Sequence, residues 1–402
     1  MRVLLMSCAG SSPDFSMSEK RFPIGLGCLS AMLKQQKHSV YLVDRFSDPD
    51  DWVEDVCAFD FVGLYTSTPC YADALHILEL LRDYKGPIAF GGPHTTLFPS
   101  TIPPRVDYVV QGEAEYIIND LVEGAYPAGS LIRTPRIQNL DALPRVDYDL
   151  FMDKKRSYVW TIPFTERQPI FVMNTSRSCP FACEFCAVRQ IWGRLWTAQS
   201  AERVMDDILF LKSTHNIAGV YFREDNFTAD RERVRQIAEL LIKRDAGIVW
   251  ACEARADLGS EPELVRLMAQ SGCRGLYIGA ESGSPRMLNY YNKQITVHQI
   301  IQTCRLAKKY DIVVAMSLIA HHPKETPFDR LATRALVHVT RPEIVWVNPY
   351  RDDFTRHGRV EFPTYSPRQI IRATFEGGTW KGQRDRISPT WDTVCNQNQT
   401  VE

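Results

Sequence analysis

The sequence predicts an α/β protein in which a doubly wound parallel sheet is followed by a partial, six-fold β/α barrel. Two observations support this prediction. Short apolar runs alternate with longer amphipathic segments along most of the 402 residues, a pattern typical of parallel sheets covered by helices. The alternation stops once, in a segment spaced by four prolines. We therefore predict a doubly wound domain over residues 1–125, a linker over 126–168, a barrel over 169–350 and a short extension over 351–402.

Composition narrows the possible partners and the compartment. Lys and Arg (47) nearly balance Asp and Glu (48), so the net charge of −1 does not favour nucleic acid as a partner. The eleven cysteines are scattered through a long chain, which favours a reducing, cytoplasmic location. No run approaches the ~18 apolar residues of a membrane helix, and residues 3–6 are too short for a secretion signal. We expect no membrane partner.

The first domain contains five strand candidates. They are short and apolar, which favours strands that are buried on both faces. The strand candidates cover residues 2–6, 39–44, 61–66, 87–91 and 107–110, and the helical segments between them cover 25–37, 51–58, 71–84 and 115–123. This order predicts a doubly wound (flavodoxin-like) sheet, whose ligand crevice lies at the carboxyl ends of its strands.

Small residues occupy the loops at those carboxyl ends. Ser67 and Thr68 follow the third strand, and Gly91 and Gly92 close the fourth. Two glycines permit a ligand to approach the backbone closely. The loop after the first strand, residues 7–12, contains no His, and Cys8 is its only soft metal donor. Many doubly wound sheets have comparable loops for packing reasons alone, and that alternative stays open.

Three cysteines follow an apolar run at residues 169–173. Cys179, Cys183 and Cys186 form a Cys-x3-Cys-x2-Cys array, which one loop can bring onto a single metal centre. On an iron–sulfur cube, three protein ligands leave one iron open for chemistry. The alternatives are a zinc site that lacks a fourth ligand, and coincidence in a cysteine-rich chain.

Six strand candidates form the barrel. They alternate with helical segments that carry N-cap residues at Ser200, Thr228, Ser260 and Thr296. The strands cover residues 170–174, 217–222, 248–253, 275–279, 312–318 and 343–348, and the helices cover 202–214, 230–245, 262–271, 297–310 and 326–340. Six units are too few for a closed eight-fold barrel. Barrel chemistry lies at the carboxyl ends of the strands, where the cysteine loop also lies.

The cysteine loop resembles the cluster motif of the radical S-adenosylmethionine (SAM) superfamily, with Phe185 as the aromatic residue before the third cysteine. The first domain resembles the cobalamin-binding domain that precedes the barrel in one large subfamily, on segments 22–27, 65–69, 91–94 and 111–115. The resemblance implies three cofactors: a 4Fe–4S cluster, SAM and cobalamin. In that family, one electron from the cluster cleaves SAM to methionine and a 5′-deoxyadenosyl radical.

The resemblance also implies residues that bind SAM. Glu224 or Asp225 matches the acidic position that fixes the SAM ammonium, and Glu281 with Ser282 matches a motif that contacts the ribose and methionyl part. The alternative for the acidic pair is a solvated turn. Arg255 can bind a carboxylate through two parallel hydrogen bonds or simply neutralise Glu253 two residues before it.

Cobalamin contacts are expected at Ser67, Thr68, Gly91, Gly92 and Cys8. The chain departs from His-ligating cobalamin domains, because their Asp-x-His-x-x-Gly motif is missing after the first strand. The resemblance therefore implies that no His ligates the cobalt from this loop. A domain of this fold that binds no corrin is the alternative.

The catalytic candidates follow the last two strands. The family usually has a Gly-Leu-Pro-Gly-Glu-Thr-like turn after the fifth strand, whereas this chain has His321 and His322 there. Tyr350 ends the sixth strand and is expected to face the barrel interior. The histidines can donate a proton, contact the substrate or lie in an ordinary exposed loop, and Tyr350 can bind substrate or fill the barrel.

The resemblance most often implies methylation of an unactivated carbon, or of phosphorus, by way of the 5′-deoxyadenosyl radical and methylcobalamin. The expected partners are a small-molecule or peptide substrate and an external one-electron reductant of the flavodoxin or ferredoxin type. Two alternatives stay open. One is a cyclase or rearrangement enzyme on the same scaffold, and the other is a non-catalytic iron–sulfur or cobalamin sensor.

Overall fold

The computed structural model describes residues 1–9, 22–46, 48, 52–152 and 165–350, together with the backbone of 380–381. The chain divides into two compact units. The first unit comprises Met1–Val159 and Gln190–Ala198, and the second unit comprises Trp160–Arg189 and Gln199–Glu402. Apart from residues 380–381, the predicted extension over 351–402 lies outside the described residues.

A six-stranded parallel sheet forms the first unit. Its strand order is β2-β1-β3-β4-β5-β6, which contains the flavodoxin-like order 2-1-3-4-5 and confirms the predicted doubly wound class. The strands are β1 (Arg2–Ser7), β2 (Ser39–Asp44), β3 (Phe61–Tyr65), β4 (Ile88–Gly91), β5 (Tyr108–Gln111) and β6 (Ser130–Arg133). The helices are α1 (Ile24–Gln35), α2 (Trp52–Asp55), α3 (Tyr71–Leu80), α4 (Pro93–Leu97) and α5 (Ile118–Val122).

The sixth strand is an addition to the five that the sequence predicts. It lies in the proline-spaced segment, and only Ile132 among its four residues is buried, so its apolar pattern is too weak to predict a strand. Residues farther along this segment pack on α1. The side chains of Val146 and Phe151 occupy the space that a Cβ at Gly27 would need, and Ser30 donates a hydrogen bond to Asp147 over 2.5 Å. The predicted domain boundaries stay a prediction.

Six parallel strands in chain order form the sheet of the second unit, as the sequence predicts for a partial barrel. They are β7 (Ile170–Met173), β10 (Gly219–Phe222), β11 (Val249–Arg255), β12 (Cys273–Glu281), β13 (Val313–Ala320) and β14 (Ile344–Pro349). Two two-residue strands, β8 (Ser176–Arg177) and β9 (Thr197–Ala198), lie between β7 and β10, and β15 (Trp380–Lys381) pairs antiparallel with β14. The last four of these strands end later than predicted, and Arg255 and Glu281 are therefore the last residues of β11 and β12.

Helices connect these strands. They are α6 (Val188–Trp192), α7 (Ala201–His215), α8 (Arg231–Lys243), α9 (Pro262–Gln270), α10 (Pro285–Tyr290), α11 (Val297–Lys309) and α12 (Pro327–Thr340). Two predicted N-caps are confirmed, because the side chains of Ser200 and Thr296 accept hydrogen bonds from the first turns of α7 and α11. Two are wrong: Asp230 caps α8 in place of Thr228, and α9 begins after Glu261 with Pro262, which needs no N–H partner.

None of the helices in the described part of the chain combines the length and apolar character that a bilayer span requires.

The two glycines that end β4 provide a test of the fold. Gly92 has φ +99°, and a Cβ there would lie 2.6 Å from the carbonyl oxygen of Thr66, whereas a Cβ at Gly91 would meet no atom within 4 Å. We predict that Gly92→Ala lowers the free energy of unfolding by about 1–3 kcal/mol. Gly91→Ala, the matched control, should change it by less than about 0.5 kcal/mol. Denaturant unfolding monitored in the first unit measures both. Equal effects of the two substitutions would contradict the described turn.

Candidate active site

The cysteine loop leaves the barrel at the end of β7, whose four residues are all buried. Cys179, Cys183 and Cys186 are partly buried and form no disulfide. Burial raises the pKa of Cys183, and raises that of Cys186 to about 12. Both thiols are therefore protonated in the metal-free loop. A bound metal centre supplies the positive charge that displaces such protons.

The donor set fits an iron–sulfur cluster better than a single ion. In the described ranges, no three His, Cys, Asp or Glu side chains are placed to hold a single metal ion. A 4Fe–4S cluster needs its thiolates at separate irons, and three cysteines on one loop match that requirement.

Glu224 holds the entrance of the cysteine loop. Its side chain is buried, with 7% exposed. One carboxylate oxygen accepts the N–H of Thr175 over 2.6 Å and the Thr175 hydroxyl, and the other accepts the Ser176 hydroxyl. Arg233 donates to the same Thr175 hydroxyl oxygen over 2.7 Å. We call this arrangement the Glu224 clamp. It links the end of β10 to the chain that leaves β7.

Asp225, the other candidate for the SAM ammonium, is placed differently. Its side chain is exposed and accepts the N–H of Ser178 over 3.0 Å. The two neighbouring carboxylates therefore differ: Glu224 is occupied by the hydroxyl groups of the loop entrance, whereas Asp225 lies at the surface beside the first cysteine. The role of either residue in binding SAM stays a prediction.

Residues 291–293 contact the cysteine loop. The carbonyl oxygen of Tyr291 accepts the N–H of Glu184 over 2.9 Å, and the side chain of Asn292 donates to the carbonyl oxygen of Ala182 over 2.9 Å. Phe185 lies edge-on against Tyr291 with ring centroids 5.4 Å apart. These contacts fix the loop on both sides of Cys183.

Arg255 contacts both the cysteine loop and the segment that ends in Lys293. Its guanidinium lies 3.8 Å from the centroid of the Phe181 ring, donates to Asp257 over 2.9 Å and donates to the carbonyl oxygen of Lys293. Neutralisation of Glu253 was the alternative for Arg255, but the acid with which Arg255 pairs is Asp257, and Glu253 accepts the hydroxyl of Tyr221. Arg255 is the last residue of β11, so its side chain reaches Asp257 and Lys293 beyond the end of the strand.

Glu281 forms a buried ion pair that the sequence did not predict. The ammonium of Lys293 lies 2.8 Å from its carboxylate, and both side chains are nearly inaccessible. A Cβ at Gly279 would lie 2.4 Å from the same carboxylate, which explains glycine there. Ser282 lies 3.1 Å from the Thr333 hydroxyl oxygen. Lys293 was missed because a lysine in a polar turn resembles an ordinary solvated residue.

His322 lies among tyrosines at the end of β13. Its ring is edge-on to Tyr350 at 4.1 Å, with Tyr290 and Tyr291 at 4.9 and 5.4 Å. Its Nδ1 accepts the N–H of Lys324 over 3.0 Å. The structure therefore brings two of the three predicted catalytic residues together.

The remaining catalytic candidate is His321, which has φ +61°. Burial, followed by Arg330, lowers its pKa. Nearby, Glu325 was not predicted to be functional. Burial raises the pKa of Glu325 to about 7, and its Oε2 is buried without a hydrogen-bond partner. The Glu-Thr pair that begins at Glu325 matches the usual family turn, so nothing in the sequence indicated that this carboxyl group is buried.

The loops of the first unit leave open space beside Gly91. The hydroxyl of Thr66 donates to the Gly91 carbonyl oxygen over 3.0 Å and lies 2.8 Å from the Thr95 hydroxyl oxygen. These bonds hold the ends of β3 and β4 together. Ser67 and Thr68 follow directly and are partly exposed. Because a Cβ at Gly91 would enter open space, the residues present fit a ligand that approaches the backbone there.

His94 connects three loops in the same region. It is fully buried and stacks on Tyr71 with ring centroids 3.8 Å apart. Its Nδ1 lies 3.2 Å from the Thr68 hydroxyl oxygen, and its Nε2 lies 3.1 Å from that of Thr101. Burial lowers the pKa of His94 to about 4. The neutral ring thus serves as a fixed bridge, and it already engages the hydroxyl of Thr68.

Cys8 lies in the apolar core. It is 2% exposed and belongs to the same buried cluster as Leu4, Met6 and Cys70. Burial is the main cause that raises the pKa of its thiol far above the usual value. Cobalt ligation by Cys8 stays a prediction, and it would require the end of β1 to move.

The neutral His94 predicts how the first unit responds to acid. A histidine whose pKa falls from 6.5 unfolded to about 4 folded stabilises the fold fully above pH 6.5, and this stabilisation is lost as the pH falls toward 4. We predict that His94→Gln, which does not titrate, weakens the pH dependence of hydrogen-exchange protection at β3 and β4. His76→Gln, at an exposed site, is the matched control. An unchanged slope in His94→Gln would contradict the assignment.

Comparisons with known proteins agree with this geometry. The chain matches the Radical SAM superfamily over residues 173–337 and the B12 binding domain over residues 18–122. It is 30% identical over 332 residues to an uncharacterized methyltransferase of Pyrococcus horikoshii, covering 76% of this chain and 70% of that protein. It is 26% identical over 291 residues to the anaerobic magnesium-protoporphyrin IX monomethyl ester cyclase of Rubrivivax gelatinosus, covering 66% of this chain and 52% of that protein.

A solved structure shows the same fold. The radical SAM methyltransferase TsrM of Kitasatospora setae, with cobalamin and a [4Fe-4S] cluster bound, superposes with a TM-score of 0.70. The two sequences are 16% identical, and the match covers 89% of this chain and 77% of that chain. The predicted resemblance and cofactors are therefore confirmed. The chain belongs to the radical SAM superfamily, as a cobalamin-dependent enzyme whose cofactors are a 4Fe–4S cluster, SAM and cobalamin.

Proposed function

We propose that the enzyme is a methyltransferase that acts on an unactivated carbon, or on phosphorus, of a small molecule or peptide. The observation that carries the proposal is that one chain combines a three-cysteine loop at the carboxyl ends of barrel strands with a B12-binding domain that leaves open space beside Gly91. When bound, the cluster supplies the electron that cleaves SAM, and the corrin supplies the methyl group. The similarity to a methyltransferase of Pyrococcus horikoshii supports the same outcome.

The described contacts support a division of roles at the rim. We propose that Cys179, Cys183 and Cys186 bind the cluster and that Phe185 packs beside it. Asp225 is the better candidate for the SAM ammonium, because the oxygens of Glu224 already accept hydrogen bonds at the loop entrance. An exposed carboxylate can receive an ammonium without losing a buried partner.

Other residues at the rim receive supporting roles. We assign Glu281 and Ser282 to the rest of the SAM molecule, and Arg255 to supporting the cysteine loop. His322 and Tyr350 form an aromatic wall that suits a substrate surface. His321 is not part of the ring contact between them. A wall of rings excludes water from a reactive radical.

In the first unit, the proposed corrin contacts are the backbone at Gly91 and Gly92 and the side chain of Ser67. Thr68 contributes through the bridge that His94 makes. We propose that no His of the loop after β1 ligates cobalt, since residues 7–12 contain none, which leaves Cys8 as its only soft donor.

The proposal extends to partners and location. A one-electron reductant of the flavodoxin or ferredoxin type is required, because the cluster must be reduced before it cleaves SAM. The eleven cysteines are scattered through a long chain, which supports a reducing cytosolic location.

The second candidate function is a cyclisation or rearrangement without methyl transfer. The similarity to the cyclase of Rubrivivax gelatinosus favours it. Membership in an enzyme superfamily removes the support for the non-catalytic sensor alternative.

The products of SAM distinguish these functions. We predict that anaerobically reconstituted enzyme, given SAM with a deuterated methyl group, releases 5′-deoxyadenosine and transfers the labelled methyl group to bound corrinoid, both measured by mass spectrometry. Joint replacement of the three cysteines by Ala should abolish 5′-deoxyadenosine. Gly91→Ala should reduce labelled corrinoid with little effect on 5′-deoxyadenosine. If the parent forms 5′-deoxyadenosine but never labels a bound corrinoid, the methyltransferase proposal fails and the second candidate is favoured.

A further inference from the structure

Lys293 is a buried cation beside the cysteine loop. It lies three residues beyond α10, and 8% of the residue is exposed. Its ammonium donates to Glu281 over 2.8 Å and lies 5.7 Å from the centroid of the Phe185 ring. Burial lowers the pKa of Lys293, but the carboxylate of Glu281 outweighs it and raises the pKa above its usual value. Lys293 is therefore charged at every physiological pH.

The backbone on either side of Lys293 adopts the uncommon left-handed conformation. The residues on either side, Asn292 and Gln294, have φ +50° and +54°, and its partner Glu281 has φ +62°. Side-chain-bearing residues avoid this region, and they remain there only where surrounding contacts determine the conformation. Here, the hydrogen bond from Asn292 to the cysteine loop provides such a contact. The chain thus presents the ammonium at a defined position.

Two hydrogen bonds place that position next to Cys183. Tyr291 accepts from Glu184, and Asn292 donates to Ala182, so the segment that ends in Lys293 binds the residues immediately before and after the cysteine. Arg255 completes the support, because it donates to the Lys293 carbonyl oxygen while its guanidinium lies over Phe181.

Positive charge lies against the cysteine loop. The Lys293 ammonium lies 5.7 Å from the centroid of the Phe185 ring, and the Arg255 guanidinium lies 3.8 Å from that of Phe181, so a cation approaches the loop on each side of Cys183. A thiolate bound to iron carries negative charge, and reduction of the cluster adds one electron to it. In a low-dielectric environment, a fixed ammonium nearby stabilises that added charge more than it would in water. Charge close to the sulfurs is one of the factors that set the potential of an iron–sulfur cluster.

We propose that Lys293 is a positioning residue for the cluster: its ammonium, oriented by Glu281, stabilises the reduced state of the cluster on the side of Cys183. One electron comes from the external reductant and remains on the cluster until SAM receives it, and Lys293 keeps its proton throughout. The proposal rests on the cluster, not on methyl transfer.

A merely structural role is the competing explanation. In that case Lys293 only neutralises Glu281, and removing both charges together restores the wild-type properties. If the ammonium itself acts on the cluster, the double replacement does not restore them fully, because the cation beside Phe185 of the cysteine loop is gone. The two explanations therefore differ in the double variant.

The test is an EPR-monitored redox titration of the reconstituted cluster in the full chain, without SAM or substrate. Iron per chain is measured in parallel. The variants are Lys293→Met, Lys293→Met with Glu281→Gln, and Lys293→Arg, which keeps the charge. Lys243→Met, on the exposed last turn of α8, is the matched control because solvent screens its charge.

We expect the midpoint potential of Lys293→Met to shift to more negative values. The midpoint potential of the double variant should shift less but remain below that of wild type. The potentials of Lys293→Arg and Lys243→Met should stay near that of wild type. A wild-type potential in Lys293→Met with full iron would overturn the proposal. If that variant fails to fold, a wild-type potential in the double variant would overturn it instead. Since no SAM is present, either result leaves the proposed methyl transfer untouched.

Discussion

The Glu224 clamp is the interaction on which the rest of the barrel rim depends. One buried carboxylate accepts hydrogen bonds from Thr175 and Ser176 just before the first cysteine. The chain must turn there from a buried strand into a loop, so its polar groups need partners at once. Arg233 balances the charge through Thr175. A buried carboxylate with these partners fixes where the loop starts, and every later contact of the loop requires that start.

Charged side chains hold the rest of the cysteine loop, and burying these charges costs free energy. Arg255 and Lys293 are both almost inaccessible, and a buried charge is tolerated only when it is paired. Asp257 and Glu281 supply the pairs. Positive φ angles occur at Ser178, Glu281 and His321, all at the carboxyl ends of strands. Such strain is concentrated where function rather than stability selects the conformation.

The sequence predicted the parts of this arrangement that are repeated or local. Alternating apolar runs predicted both sheets, and the spacing of Cys179, Cys183 and Cys186 predicted the loop. It did not predict β6, whose burial is confined to one residue. Nor did it predict Lys293 or His94, because their roles depend on partners that are distant in sequence, such as Phe185 for Lys293 and Thr68 for His94. Burial changes what a lysine or histidine does, and burial is not readable from a turn sequence.

The most direct test of the account separates the two neighbouring carboxylates. Iron per chain and SAM affinity would be measured in Glu224→Gln and Asp225→Asn after identical anaerobic reconstitution. The account predicts that Glu224→Gln loses iron because the loop entrance is released. Asp225→Asn should keep its iron and bind SAM with ~1.5–3 kcal/mol less free energy, the usual contribution of a charged hydrogen bond. Full iron in Glu224→Gln, together with unchanged SAM affinity in Asp225→Asn, would contradict it.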